Sequence, residues 1–119
     1  NLDHGQGVEA VDKYITSLGF KPIGKDWETL DKESLLKLLT KMCHMSMAYS
    51  VEMMSIETSR HIAEVFVEQF NPESAFYFAN GSIQENSASW SSITESTFEM
   101  AIVAMDSNRI GIICCEDED

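Results

Sequence analysis

Basic residues, prolines and long apolar runs are all scarce in this chain of 119 residues. Eight lysines and arginines stand against 20 acidic residues, so the formal net charge is −12. A charge of this sign repels nucleic acid and anionic membrane surfaces, which excludes proteins that bind either through a basic patch. The apolar runs are much shorter than the roughly 18–20 residues that a membrane-spanning helix needs. The sequence therefore predicts a chain that contacts neither nucleic acid nor membrane.

Cysteines are also few, and their number is odd: Cys43, Cys114 and Cys115. The adjacent pair would point to opposite faces of a strand, which disfavours a bridge between them, and no spacing matches a zinc or redox motif. We expect all three to be buried small hydrophobes in a reducing compartment. The first residues, NLDHG, lack the basic-then-apolar pattern of a secretory signal, so the expected location is the cytoplasm.

The first part of the chain, about residues 7–70, has the apolar spacing of helices. A first helix over 7–18 is expected to end at Gly19, and a second is expected to start after an N-cap at Asp31. The second helix is the strongest in the chain and can extend through Met45, Met47, Ala48 and Tyr49. A third is expected over about 56–70, just before a proline. Trp27, in the loop after the first helix, is expected to anchor that loop onto the core.

The pattern changes to that of strands over about residues 75–115. A short aromatic strand is expected at 75–79, followed by a polar surface loop over 82–92. Residues 97–115 alternate on either side of a turn at 106–108, which predicts a hairpin. The sequence thus indicates a single α+β domain over 1–119, in which N-terminal helices pack on one face of a C-terminal antiparallel sheet. An acidic tail at 116–119 follows the last strand.

Negative charge is concentrated in the second half of the chain. Residues 1–60 hold seven basic and nine acidic residues, whereas residues 61–119 hold one basic residue, Arg109, and eleven acidic ones. Such a field can steer a positively charged macromolecule, although it can also serve only to keep the protein soluble. We expect acidic side chains around Trp90 to form a docking surface. The predicted partner-binding residues are Glu85, Trp90, Glu95, Glu99, Asp106, Glu116, Asp117, Glu118 and Asp119.

Residues able to carry catalysis or bind a metal are scattered. Cys43 and His44 are adjacent, but neighbouring side chains on a helix diverge by about 100°, so the histidine is poorly placed to activate the thiol. His4 and His61 stand at no shared ligand spacing, and the C-terminal carboxylates lack the spacing of a calcium loop. We therefore expect no enzyme activity, no metal and no cofactor. Five methionines are expected to fill the core, with an adaptable binding groove as the alternative: Met42, Met45, Met47, Met53 and Met54.

Residues 89–103 (SWSSITESTFEMAIV), with 109–112 (RIGI) and 116–119 (EDED), resemble small bacterial immunity proteins, in particular those of contact-dependent growth inhibition systems. The resemblance covers about the last 30 residues, together with the order of helices before sheet. Members of that group lie in the cytosol and neutralise a toxin domain, commonly a nuclease, by binding it tightly. The resemblance implies an acidic inhibitor whose partner is a basic toxin domain.

Two alternatives to an immunity protein stay open at the level of sequence. One is a nucleic-acid mimic that inhibits a defence nuclease, which would need carboxylates spaced along a face in the manner of phosphates. The other is a small enzyme or ligand-binding domain with Cys43, His44 or His61 in a helical cleft. A deep pocket at those side chains would favour the enzyme, and their burial among apolar residues would exclude it.

Overall fold

The computed structural model describes residues 4–46, 52–84 and 87–117. Within those ranges the helical elements precede most of the strands, which confirms the predicted α+β class. The elements are α1 (His4–Ser17), a 3₁₀ turn (Gly24–Asp26), β1 (Glu28–Leu30), α2 (Lys32–His44), α3 (Ile56–Glu68), β2 (Phe76–Ala79), β3 (Gly81–Gln84), β4 (Ser87–Trp90), β5 (Phe98–Met105) and β6 (Ile110–Asp117).

The main sheet has four antiparallel strands in the order β1-β2-β5-β6. Its longest pairing joins β5 to β6 in register from Phe98 opposite Asp117 to Met105 opposite Ile110. The predicted hairpin over 97–115 is therefore confirmed, with the turn at 106–109. Because β6 pairs only with β5 in the described part of the chain, it forms one edge of the sheet, and β1 forms the other.

Helices cover both faces of this sheet, so the expectation that they pack on one face is wrong. Met100, Ile102 and Ala104 of β5 belong to a core shared with α2 and α3. Ala101 and Val103, from the alternate positions, belong to a second core shared with α1. The alternation of residues in β5 predicts one apolar face and one mixed face of the sheet. The residues on the mixed face, such as Ala101 and Val103, are mostly apolar as well. A strand buried on both sides reads as a nearly continuous apolar run, which is what FEMAIVAM is.

The loop after α1 is fixed by one carboxylate. Asp12, a half-buried residue of α1, accepts a hydrogen bond from the Trp27 indole Nε1 at 2.7 Å. It also accepts hydrogen bonds from the backbone N–H groups of Ile23 and Gly24, at 3.1 and 2.9 Å. Trp27 is only 2% exposed, which confirms its predicted role as an anchor. The three-residue strand β1 follows directly and was not predicted, because a run of this length carries too little periodicity.

The predicted N-cap at Asp31 is confirmed, and a second cap, Ser55, was not predicted. The Asp31 side chain accepts from the Ser34 N–H at 2.7 Å and caps α2. Ser55 caps α3 in the same way through the Thr58 N–H. The helix α2 ends at His44, and Met45 instead forms an isolated bridge with Glu52, so the expected extension of the helix is wrong at that point. Met47, Ala48 and Tyr49 lie outside the described residues.

The polar stretch expected to be a surface loop over 82–92 is mostly a second hairpin, β3–β4. Its residues are largely serines and other small residues, which have weak strand propensity. The sequence pattern therefore does not indicate that these residues pair as strands. Gly81 stands opposite Trp90 and allows a close approach of the two backbones. A Cβ atom at residue 81 would lie 2.6 Å from the Trp90 Cα and closer still to the Ser89 carbonyl oxygen.

We predict that Gly81→Ala destabilises the protein by about 1–3 kcal/mol, because backbone atoms of β4 cannot yield as a side chain can. Gly111→Ala is the matched control, since its new Cβ would meet only side-chain atoms, the Phe70 ring at 3.3 Å and the Phe66 ring at 3.8 Å. Thermal unfolding followed by circular dichroism measures both. A Tm for Gly81→Ala equal to or above that of Gly111→Ala would contradict the close approach of β3 and β4.

Candidate functional site

Several of the predicted binding residues meet where β5 begins and β6 ends, which we name the sheet end. Phe98, the first residue of β5, is paired with Asp117, and its ring centroid lies 5.9 Å from that of Trp90. The Ser96 hydroxyl donates to the Glu116 carboxylate at 2.6 Å. Glu95 precedes Ser96 in the chain. The structure therefore brings Trp90, Glu116 and Asp117 to one end of the molecule, with Glu95 beside them.

These residues are divided between the two faces of the sheet. Trp90 packs against the core shared with α2 and α3 and is half-buried, so it is a structural residue as much as an exposed anchor. Asp117 points to the same face and accepts a hydrogen bond from the Ser46 hydroxyl just after α2. Glu116, the alternate residue of β6, is exposed on the other face. A partner that contacts the sheet end meets Glu116 and Asp117 from different sides.

The charge of Glu95 is offset locally. Its carboxylate lies 2.5 Å from the Lys21 ammonium, in a pair whose side chains are 87% and 55% exposed. The hydrogen bond from Lys21, with the added attraction of the positive charge, holds the pKa of Glu95 below its ordinary value. Because both groups are largely in water, this pair contributes little to stability. It does reduce the negative potential that Glu95 could offer to a partner.

Glu99 cannot contribute to a surface patch, because it is fully buried. Its Oε2 atom accepts from the Asn80 Nδ2 and the Ile93 N–H, each at 2.9 Å. Its Oε1 atom accepts from the Thr94 N–H at 2.9 Å and the Thr94 hydroxyl at 2.7 Å. Four donors thus meet two carboxylate oxygens. The prediction that Glu99 binds a partner is wrong, because the loop after β4 folds over this side chain.

Asn80 completes the same buried network. Its Oδ1 atom accepts from the Ala101 N–H at 2.8 Å, and its Nδ2 also donates to the Ser91 carbonyl at 3.0 Å. The sequence Asn80-Gly81 suggested only a turn, so this role was missed. A single acidic residue within the apolar run of β5 was the signal that could have identified a buried acceptor.

Asp106 lies far from the sheet end. It follows the last residue of β5 and stands seven positions beyond Glu99, which corresponds to about 23 Å along an extended strand. Hydrogen bonds from the N–H groups of Asn71, Asn108 and Arg109 lower the pKa of its carboxyl, with the Asn71 contribution the largest. Asp106 therefore caps the turn before β6. Its predicted place in a patch around Trp90 is wrong, and Glu85, Glu118 and Asp119 lie outside the described residues.

A second set of carboxylates lies along α3. Glu57, Glu64 and Glu68 are exposed, and their spacing of seven and four residues aligns them on the helix face directed away from the sheet. The helix packs over β6, where Phe66 of α3 and Phe70, just after its end, approach Gly111. We name the surface formed by α3 and β6 the acidic side. Its carboxylates are those of Glu57, Glu64, Glu68 and Asp117, and that of Glu116, which lies at the same edge of the sheet but on the opposite face.

Lysines are segregated from the acidic side. All six lysines lie on α1, on α2 or in the connection between them, and α3 and the strands β2–β6 have none. Two arginines do border the acidic side. Arg60 is exposed within the α3 stripe, and Arg109 donates through Nη1 to the Gln69 carbonyl at 3.0 Å. The uneven charge of the sequence is thus preserved in space as an acidic and a lysine-bearing region.

The residues proposed for an enzyme do not converge on a cleft. Cys43 is buried in the core at 8% exposure, and the His44 Nδ1 lies 2.9 Å from the Met54 carbonyl oxygen. His61 is exposed on α3. The described residues include no group of three histidine, cysteine or acidic side chains able to hold a metal ion. An open depression of about 500 Å³ lies elsewhere, between α1 and the β5–β6 turn.

The methionines do not form a continuous groove in the part of the chain that is described. Met42 is a core residue at 2% exposure, as expected for the default role. Met54 is partly buried against the same core, whereas Met45 and Met53 are exposed beyond the end of α2. These four side chains therefore lie at different depths rather than along one apolar channel.

Comparison of the chain with protein-family models, with curated proteins and with solved structures found no match in any of the three. Among the described residues, no helix combines the length and apolar character needed to cross a membrane.

We predict that Glu99→Gln lowers the free energy of unfolding by about 1.5–3 kcal/mol, since an amide N–H₂ would face donors that now bind a carboxylate oxygen. Glu116→Gln is the control. Glu116 stands directly opposite Glu99 in the β5–β6 register but is exposed, so its substitution should change stability by less than about 0.5 kcal/mol. Urea unfolding measures both, and equal effects would contradict the buried network.

Proposed function

We propose that this chain is a cytoplasmic immunity protein without catalytic activity, which binds and neutralises a basic toxin domain, expected to be a nuclease. The observation that carries the proposal is the acidic side, where α3 and β6 together present carboxylates and no lysine. The resemblance of residues 89–119 to immunity proteins of contact-dependent growth inhibition systems points in the same direction.

The chemistry of a nuclease explains why an acidic surface suits this role. A nuclease must hold phosphate groups, so its substrate cleft and the surrounding surface are basic. Carboxylates that occupy that surface compete with the nucleic acid and also steer the encounter of the two proteins. The acidic side differs from the patch predicted around Trp90, because Glu99 is buried, Glu95 is paired with Lys21 and Asp106 caps a distant turn.

The position of β6 favours a protein as the partner. It is an edge strand of eight residues that pairs only with β5 in the described part of the chain. An edge of this kind offers backbone N–H and C=O groups to an extended segment of another protein, and such pairing gives affinity that is independent of charge. The acidic residues that end β6 would then select a segment that carries lysine or arginine.

We predict that the double variant Glu64→Lys/Glu116→Lys slows association with the toxin domain encoded by the gene immediately upstream by about tenfold or more at low salt. The control is Glu28→Lys/Glu33→Lys, which makes the same change in net charge on β1 and α2, at exposed positions away from the acidic side. Its association rate should change by less than about twofold. Stopped-flow mixing measures both rates.

Three results would count against the proposal. Equal slowing by the two double variants would show that net charge alone matters and would remove the acidic side as the docking surface. Failure of the wild-type chain to form a one-to-one complex with the toxin domain, or to inhibit it, would overturn the immunity function. Association rates that do not fall as salt is raised would contradict electrostatic steering.

A further inference from the structure

Two of the three cysteines, far apart in sequence, meet in the fold. Cys43 lies on the last turn of α2, and Cys115 lies near the end of β6, opposite Met100. Both belong to the core between the sheet and the helices α2 and α3. The two thiols lie close enough for each to shift the pKa of the other. Cys114, the neighbour of Cys115 in β6, faces the opposite core.

A second contact holds the same two elements together. The Ser46 hydroxyl, three residues after Cys43, donates to the carboxylate of Asp117, two residues after Cys115 and on the same face of β6. The end of α2 is therefore near the end of β6 at two places. Two thiols that share one core, beside a direct contact between the same two elements, meet the first requirement for a disulfide, which is proximity.

The two thiols differ in reactivity. Hydrogen bonding from the Cys115 thiol lowers the pKa of Cys43, which makes Cys43 the more acidic thiol of the two. The same hydrogen bond, followed by burial, raises the pKa of Cys115. Burial raises the pKa of Cys114 to about 12, which keeps that thiol protonated and unreactive. Cys43 is thus the nucleophile of the pair and Cys115 the thiol that resolves its oxidised form.

We propose that Cys43 and Cys115 are a redox-active pair that hydrogen peroxide converts to an intramolecular disulfide. The Cys43 thiolate attacks one oxygen of hydrogen peroxide, the O–O bond breaks, and Cys43 becomes a sulfenic acid as hydroxide leaves. The Cys115 sulfur then attacks the Cys43 sulfur, the S–O bond breaks, and a second hydroxide leaves. The protons lost by the two thiols convert both hydroxides to water, so the net reaction consumes one peroxide and yields one disulfide and two waters.

The disulfide would join α2 to β6, one of the two elements that form the acidic side. It would close a loop that contains α3 and the strands β2–β5, and a loop of this length strongly restricts the unfolded chain. We therefore expect oxidation to raise the Tm and to fix the end of β6, including Asp117, against α2. This site does not depend on the proposed function, since it requires no partner.

The test uses the full chain, treated with hydrogen peroxide at neutral pH and then unfolded for analysis. In the reduced protein Cys43, Cys114 and Cys115 are all free. We expect oxidation to leave one titratable thiol, to remove the mass of two hydrogens and to join the peptides that contain Cys43 and Cys115. A thiol reductant should reverse all three changes. The variant Cys114→Ala should form the same disulfide, with no titratable thiol left.

Cys43→Ala and Cys115→Ala should each lose the disulfide and the rise in Tm on oxidation. Since either substitution can weaken the core, circular dichroism of the reduced variants shows whether they fold, and the thiol count of wild type and Cys114→Ala tests the proposal without them. Three titratable thiols after peroxide treatment, further oxidation of Cys43 without a cross-link, or a dimer joined through Cys114 would each overturn it.

Discussion

The buried carboxylate of Glu99 is the interaction on which the geometry of the sheet end depends. An acidic side chain at this position of an apolar strand is tolerated only if donors surround it, because burial without partners would cost several kcal/mol. The donors come from Asn80 and from Ile93 and Thr94. The network thus joins β5 to the β2–β3 junction and to the loop after β4.

The effects of this network extend beyond its own atoms. The side chain of Ile93 is fully buried in the core shared with α1, and its carbonyl accepts from the Lys21 N–H at 2.8 Å. Lys21 in turn reaches Glu95. The placement of the segment that carries Glu95 and Ser96, and hence of the hydrogen bond from Ser96 to Glu116, follows from how Glu99 is satisfied. A buried acid therefore organises the exposed acids next to it.

Features with strong local signals were predictable from the sequence. The cap at Asp31 and the long β5–β6 hairpin are of this kind, since short-range spacing and turn chemistry determine them. Features that depend on contacts distant in sequence were not. The strand β3 consists of small polar residues, Glu99 reads as a surface acid in a two-residue period, and no local pattern places Cys43 beside Cys115. The excess of negative charge is evident from the composition. Which carboxylates are buried, which are paired with a cation and which are exposed can be known only from the fold.

The proposed docking surface for a basic toxin domain consists of α3 and β6. Hydrogen–deuterium exchange of the chain, alone and in complex with the product of the upstream gene, tests it most directly, since backbone amides covered by a partner exchange more slowly. We predict added protection from exchange in Ile56–Glu68 and Ile110–Asp117 on binding. The protection of His4–Ser17 and Lys32–His44 should not change. Added protection confined to the lysine-bearing helices α1 and α2, with α3 and β6 exchanging as in the free protein, would contradict it.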